Sequence, residues 1–161
     1  MPEIFIWKRG TKMADKNSAV AVILASHGYM AKEALRSAEM IVGKQDNCAY
    51  LAVTEDLNLD QAKEKMNQMY DELDTSNGTI IICDILGGTP SNVSGTFCLE
   101  KDNILVLSGL NLPMLLDLFT NRNRSLAELA ESLEKSYNMG FQNISERFKE
   151  EEQDKDGSGI L

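Results

Sequence analysis

Two apolar runs, Ala19 to Ala25 (AVAVILA) and Thr79 to Cys83 (TIIIC), show almost no alternation with polar residues. A strand with one wet face alternates, so a run without alternation is buried on both faces. Such strands belong to a parallel sheet with helices packed on each side. The residues between the runs supply those helices. Ala31, Ala34, Leu35, Ala38, Ile41 and Val42 fall on one helical face, and Gly43 stops it. Cys48 to Val53 is a second strand, and Leu59, Ala62, Met66, Met69, Tyr70 and Leu73 again have helical spacing, with Asn77-Gly78 turning into the run at Thr79.

After the third strand a helix starts in or just past a glycine turn and runs to about Glu100, followed by a fourth strand, Ile104 to Leu107, that ends at Ser108-Gly109. Asn111 caps the next helix, whose first turn tolerates Pro113. Ser125-Leu126-Ala127-Glu128 is a capping box, and Leu126, Leu129, Ala130, Leu133 and Tyr137 form the apolar stripe of a further helix that Gly140 ends. This alternation predicts a doubly wound α/β sheet. Right-handed crossovers put its parallel strands in the order 2-1-3-4, with the switch point between strands one and three. Residues 1–18 are expected to be a peripheral extension, 19–145 the domain, and 146–161 a charged helix end and tail in solvent.

The chain has 161 residues, 43% of them hydrophobic, which is enough for one core without metal or disulfide support. Only 6% are aromatic, so aliphatic side chains and eight methionines fill that core. A net charge of −9 disfavours nucleic acid as a partner and favours a protein with a basic face. Cys48, Cys83 and Cys98 lack CxxC spacing and read as structural thiols, and one histidine is too few for a zinc site of the usual kind. No metal or other cofactor is expected. No apolar stretch approaches membrane-span length, and Ile4-Phe5-Ile6-Trp7 is too short for a signal peptide and precedes its basic residues, so the expected location is the cytoplasm.

The single histidine, His27, follows the first apolar run, and Asp84 follows the third. Across the switch point they would face each other. A carboxylate that accepts from one ring nitrogen fixes the tautomer and leaves the other nitrogen a nucleophile. Gly87-Gly88-Thr89-Pro90-Ser91-Asn92 adds backbone N–H groups, hydroxyls and a helix N-terminus, all suited to an anion. Taken singly, the histidine is a solvated or packing residue, the aspartate a turn former and the glycines a turn. Taken together they make a place for phosphohistidine. There is no P-loop lysine and no magnesium cluster, so the phosphoryl group is expected to come from another protein and not from ATP. A hydrolase triad of Ser91, His27 and Asp84 lacks its G-x-S-x-G elbow.

Three blocks, AVILASHGYMAKEALRSAEMIVG, GTIIICDILGGTPSNVSG and VLSGLNLPMLLDL, closely resemble the enzyme IIA domain of the mannose family of the bacterial phosphoenolpyruvate:sugar phosphotransferase system. The likeness covers roughly residues 19–145 and implies a flavodoxin-like fold. It implies that His27 takes a phosphoryl group from the carrier HPr and passes it to a IIB component, which serves a IIC/IID membrane permease. On the same grounds Asp84 partners the histidine, and Gly87, Gly88, Thr89 and Ser91 form the phosphate-binding turn. Ser26, Gly28, Asn111 and Pro113 line the site. The resemblance also implies a homodimer that exchanges an antiparallel C-terminal strand. Ile85-Leu86 depart from the family's pattern, standing where polar or aromatic residues are common. The nearest alternatives are a phosphoryl carrier of a dihydroxyacetone kinase system, against which the Gly-Gly-Thr-Pro turn argues, and a regulatory IIA-like module.

Overall fold

The computed structural model describes residues 19–157, so the N-terminal extension lies outside the described residues. Its strands are β1 (Ala21–His27), β2 (Cys48–Val53), β3 (Thr79–Cys83) and β4 (Ile104–Ser108). Its helices are α1 (Met30–Val42), α2 (Leu59–Glu72), α3 (Thr89–Glu100), α4 (Leu112–Asn121), α5 (Leu126–Met139) and α6 (Ile144–Gly157). The sheet has the order β2-β1-β3-β4 and all its pairs are parallel. This is the expected doubly wound α/β fold. An exchanged fifth strand is no part of the sheet among the described residues.

Side chains along the central strands alternate between two cores, which explains why those strands carry so few polar positions, Ser26 and Thr79 being the buried ones. Val22, Leu24, Ile80 and Ile82 pack with Leu35 of α1, Leu115 and Leu118 of α4, and Leu129 and Leu133 of α5. Ala21, Ile23, Ile81 and Cys83 point the other way, onto Met66 and Met69 of α2 and Val93 and Phe97 of α3. Both methionines are fully buried. Burial pushes the Cys48 thiol up to about 11, with Glu39 and Asp46 adding to the rise against the opposing pull of Arg122. A thiol so placed stays protonated and inert.

Helices α2, α4 and α5 begin where an N-cap side chain satisfies a free N–H of the first turn. Ser125 and Glu128 form the expected capping box, and Asn111 accepts from Met114 N–H at 2.9 Å. A second capping box, Asn58 with Gln61, starts α2. The charged segment after Gly140, expected as a helix end and tail, forms a separate helix, α6, through Gly157. Asn143 Oδ1 accepts from Glu146 N–H at 3.3 Å at its start, and the described α6 side chains are exposed.

One long-range clamp closes the lower end of the sheet. Arg122, at the end of α4, is only 8% exposed. Its guanidinium donates to the carbonyls of Val20, Asp46 and Asn47, with shortest distances of 2.7, 2.7 and 3.2 Å. Val20 N–H donates back to Arg122 O at 3.0 Å. The side chain thus ties the approaches to β1 and β2 to α4. Arg122→Met keeps the bulk but strands those carbonyls, and is expected to cost about 2–4 kcal/mol. A lower urea midpoint at unchanged slope would show this, whereas an unchanged midpoint would mean that the clamp is dispensable.

Candidate functional site

The upper ends of β1 and β3 do not finish level, and the difference builds the site. β1 pairs with β3 up to Ala25↔Cys83, yet it continues beside β2 to His27↔Val53. The last turn of β1 therefore has a partner on one side only. Asp84, the residue after β3, fills the gap with its side chain. Asp84 Oδ2 accepts the backbone N–H of His27 at 2.8 Å, so a carboxylate continues the ladder where backbone runs out. The same oxygen lies 2.8 Å from His27 Nδ1.

This double contact fixes the chemistry of the ring. An ionised carboxylate oxygen only accepts, so Nδ1 carries the proton and Nε2 of the neutral imidazole keeps its lone pair. The His27 side chain is 52% exposed, whereas Asp84 is 10% exposed beneath it. Partial burial pushes the Asp84 pKa up, but hydrogen bonds from the His27 backbone, the His27 ring and the Ile85 N–H, with the His27 charge, outweigh it and hold the carboxyl below its ordinary range. The Ile85 N–H reaches Oδ1 at 2.8 Å, so both oxygens are engaged.

The glycine turn lies against the other edge of the ring. Gly87 has φ +90°, a conformation open to glycine, and Gly88 is the N-cap of α3 with Pro90 in the first turn. The Thr89 and Ser91 N–H groups, in the first turn of α3, have no acceptor among the described residues. Ser91 is committed to the turn itself: its Oγ accepts Gly87 N–H at 2.8 Å and donates to Gly88 O at 3.0 Å. The hydroxyl therefore shapes the loop, and any role as a ligand donor requires it to leave Gly88 O.

The residues expected to line the site separate into two kinds. Ser26 is fully buried, where its Oγ accepts Ala31 N–H at 2.7 Å and braces the turn from β1 into α1. Gly28, at φ +54°, makes that turn and donates to Val53 O at 2.8 Å. Asn111 caps α4, and it lines a groove of about 630 Å³ that also touches Asp84, Tyr137, Asn138 and Phe141. Pro113 packs against Gly140, where an added Cβ would come within 2.7 Å of its Cγ. The α5 end of this groove has no motif in the sequence; only the fold brings it to the β4–α4 turn. Among the described residues no group of three or more His, Cys, Asp or Glu is arranged to hold a metal, and no helix is long and apolar enough to cross a membrane.

A family model described as the PTS system fructose IIA component matches residues 21–137, which include both strand ends and the glycine turn. The chain is 27% identical over 131 residues to the PTS system fructose-specific EIIA component of Bacillus subtilis, covering 81% of this chain and 90% of that protein. To the sorbose-specific EIIA component of Lacticaseibacillus casei it is 32% identical over 127 residues, covering 78% and 91%. To the mannose-specific EIIAB component of Escherichia coli (strain K12) it is 31% identical over 104 residues, or 65% of this chain and 32% of that protein. It thus spans about a third of that longer relative. The solved mannose/sorbose specific IIA subunit from Enterococcus faecalis superposes with a TM-score of 0.72 at 29% identity, covering 78% of this chain and 95% of that one.

The engaged carboxylate has a measurable consequence for stability. Because the folded-state pKa of Asp84 is depressed, its contribution is fully present above the unfolded value near 3.9 and disappears as pH falls through the folded value. The stability difference between the wild type and Asp84→Asn should therefore be largest above about pH 5 and shrink as the pH falls below the unfolded value near 3.9. Urea titrations across that window test it, and a difference independent of pH would remove Asp84 as an engaged carboxylate.

Proposed function

The chain belongs to the IIA family of the bacterial phosphoenolpyruvate:sugar phosphotransferase system, in its mannose, fructose and sorbose branch, and from that premise we propose that it is a cytoplasmic phosphoryl carrier that accepts phosphate on His27. One observation carries the reading: Nδ1 of His27 sits 2.8 Å from the Asp84 carboxylate, which leaves Nε2 as the lone-pair nucleophile. The phosphohistidine of HPr supplies the phosphoryl group. The donor P–N bond breaks as a bond from Nε2 to phosphorus forms, and the Nδ1 proton stays in place. The ring then becomes imidazolium-like, and the charge it gains is offset by Asp84, already ionised and aligned.

Thr89 and Ser91 N–H at the start of α3, with the Thr89 hydroxyl and the Gly88 N–H, receive the phosphoryl oxygens, while Gly87 N–H, bound to Ser91 Oγ, shapes the turn. Passage to a IIB component reverses the same step. The rim of this encounter is apolar, because Tyr29 and Met30 follow His27 in the chain and Ile85 and Leu86 follow Asp84, and all four are exposed. Partners therefore dock over apolar contact while the acidic chain steers a basic face from a distance. The IIC/IID permease is reached through IIB, and the working unit is a homodimer.

Phosphoenolpyruvate with enzyme I and HPr should add one acid-labile phosphoryl group per chain, and His27→Ala should abolish it. Asp84→Asn should leave the fold intact and slow the transfer 10²-fold or more, roughly 3 kcal/mol in the barrier. Mass spectrometry under alkaline conditions and quenched-flow kinetics check these outcomes. Labelling that persists in His27→Ala would overturn the proposal.

A further inference from the structure

Among the glycines of the site, Gly88 stands apart. Gly28, Gly87 and Gly109 have φ of +54°, +90° and +92°, where the backbone itself favours glycine. Gly88 has φ −89° and ψ 174°, a β conformation that any residue adopts. It is also the N-cap of α3, a position at which serine or aspartate normally does as well as glycine or better. Neither the backbone nor the helix requires glycine here.

The imidazole does. A Cβ placed on Gly88 would lie 2.4 Å from His27 Cε1, 2.8 Å from Nε2 and 3.6 Å from Nδ1. No other atoms are among the nearest contacts, so the space a side chain would take is the space the ring occupies. We propose that Gly88 is a positioning residue for phosphoryl transfer: its missing side chain is the seat that lets the His27 ring lie with Nδ1 on Asp84 and Nε2 over the start of α3. This role rests on the phosphohistidine reading and is separate from any contact between the Gly88 backbone and a phosphoryl oxygen. The ring is half exposed, so a methyl at position 88 has an easy escape: the ring swings toward solvent and leaves Oδ2 of Asp84. The chain then stays folded, and its nucleophile loses both tautomer and aim.

Gly88→Ala and Gly88→Ser test the seat with two independent readouts. The first is the tautomer, read from the ring ¹⁵N shifts of His27 at about pH 8.5, where a model imidazole is neutral. The wild type should show protonated Nδ1 and bare Nε2, and both variants a tautomer mixture close to that of a free imidazole. The second is transfer from phosphorylated HPr, which should fall at least tenfold in both variants while thermal midpoints change little. Gly88→Ser is the sharper case, since a serine N-cap should help α3 and still slow the reaction. Variants that keep the wild-type tautomer would overturn the proposal, even if transfer slows, because the side chain would then be obstructing phosphate and not moving the ring. Variants that keep the wild-type rate would overturn it as well. If the wild type takes no phosphate at all, the phosphohistidine reading fails, whereas the tautomer measurement still decides whether Gly88 seats the ring.

Discussion

Everything at the upper edge of the sheet depends on one carboxylate oxygen. Asp84 Oδ2 accepts both the backbone N–H and the ring Nδ1 of His27, each at 2.8 Å. The first contact closes the β3 side of β1, because β3 stops level with Ala25 and leaves the His27 N–H without a strand on that side. The second orients the imidazole. A single group thus satisfies a backbone donor that would otherwise lack a partner and selects the tautomer of the imidazole. Structural and chemical roles share one atom, so replacing Asp84 tests both together.

Around that contact the site is assembled from three strand ends. The β1 end supplies the imidazole, with Ser26 Oγ and Gly28 shaping the turn into α1. The β3 end supplies the carboxylate and the glycine turn, which Ser91 laces to itself. From the β4 end comes the Gly109–Pro113 turn, tied to β3 by Leu110 N–H donating to Cys83 O at 3.0 Å. Tyr137 and Gly140 of the α5 end pack directly on this turn, at Gly109 and Pro113. These strand ends lie where a doubly wound sheet forms its crevice, outside the carboxyl ends of the strands at the switch point.

The sequence makes the sheet legible because two-sided burial leaves a mark: the runs at Ala19 and Thr79 have no polar face to alternate with. Strand order followed from the handedness of crossovers, and with it the meeting of His27 and Asp84. The first strand reaches two residues further than its apolar run, to His27, because pairing with β2 carries it on after the aliphatic residues end. Ser26 and Ser91 illustrate the limit of such reading, since a serine beside a site looks alike whether it faces a ligand or the backbone. Arg122 illustrates another. It is bound to carbonyls of residues up to 102 positions away, and a carbonyl leaves no trace in sequence. The seat at Gly88 was hidden for the opposite reason, since a glycine among glycines reads as a turn until the ring is seen to lie where its side chain would be.

The central claim is that Asp84 occupies Nδ1 and so directs the phosphoryl group to Nε2. The most direct measurement is the position of phosphorus on the ring of the phosphorylated protein, read from ³¹P and ring ¹⁵N couplings with His27 labelled. Phosphorus bonded to Nε2, with a protonated Nδ1, is the result the account requires. Phosphorus on Nδ1 would contradict it, because that atom could not then donate to the carboxylate on which the whole arrangement rests.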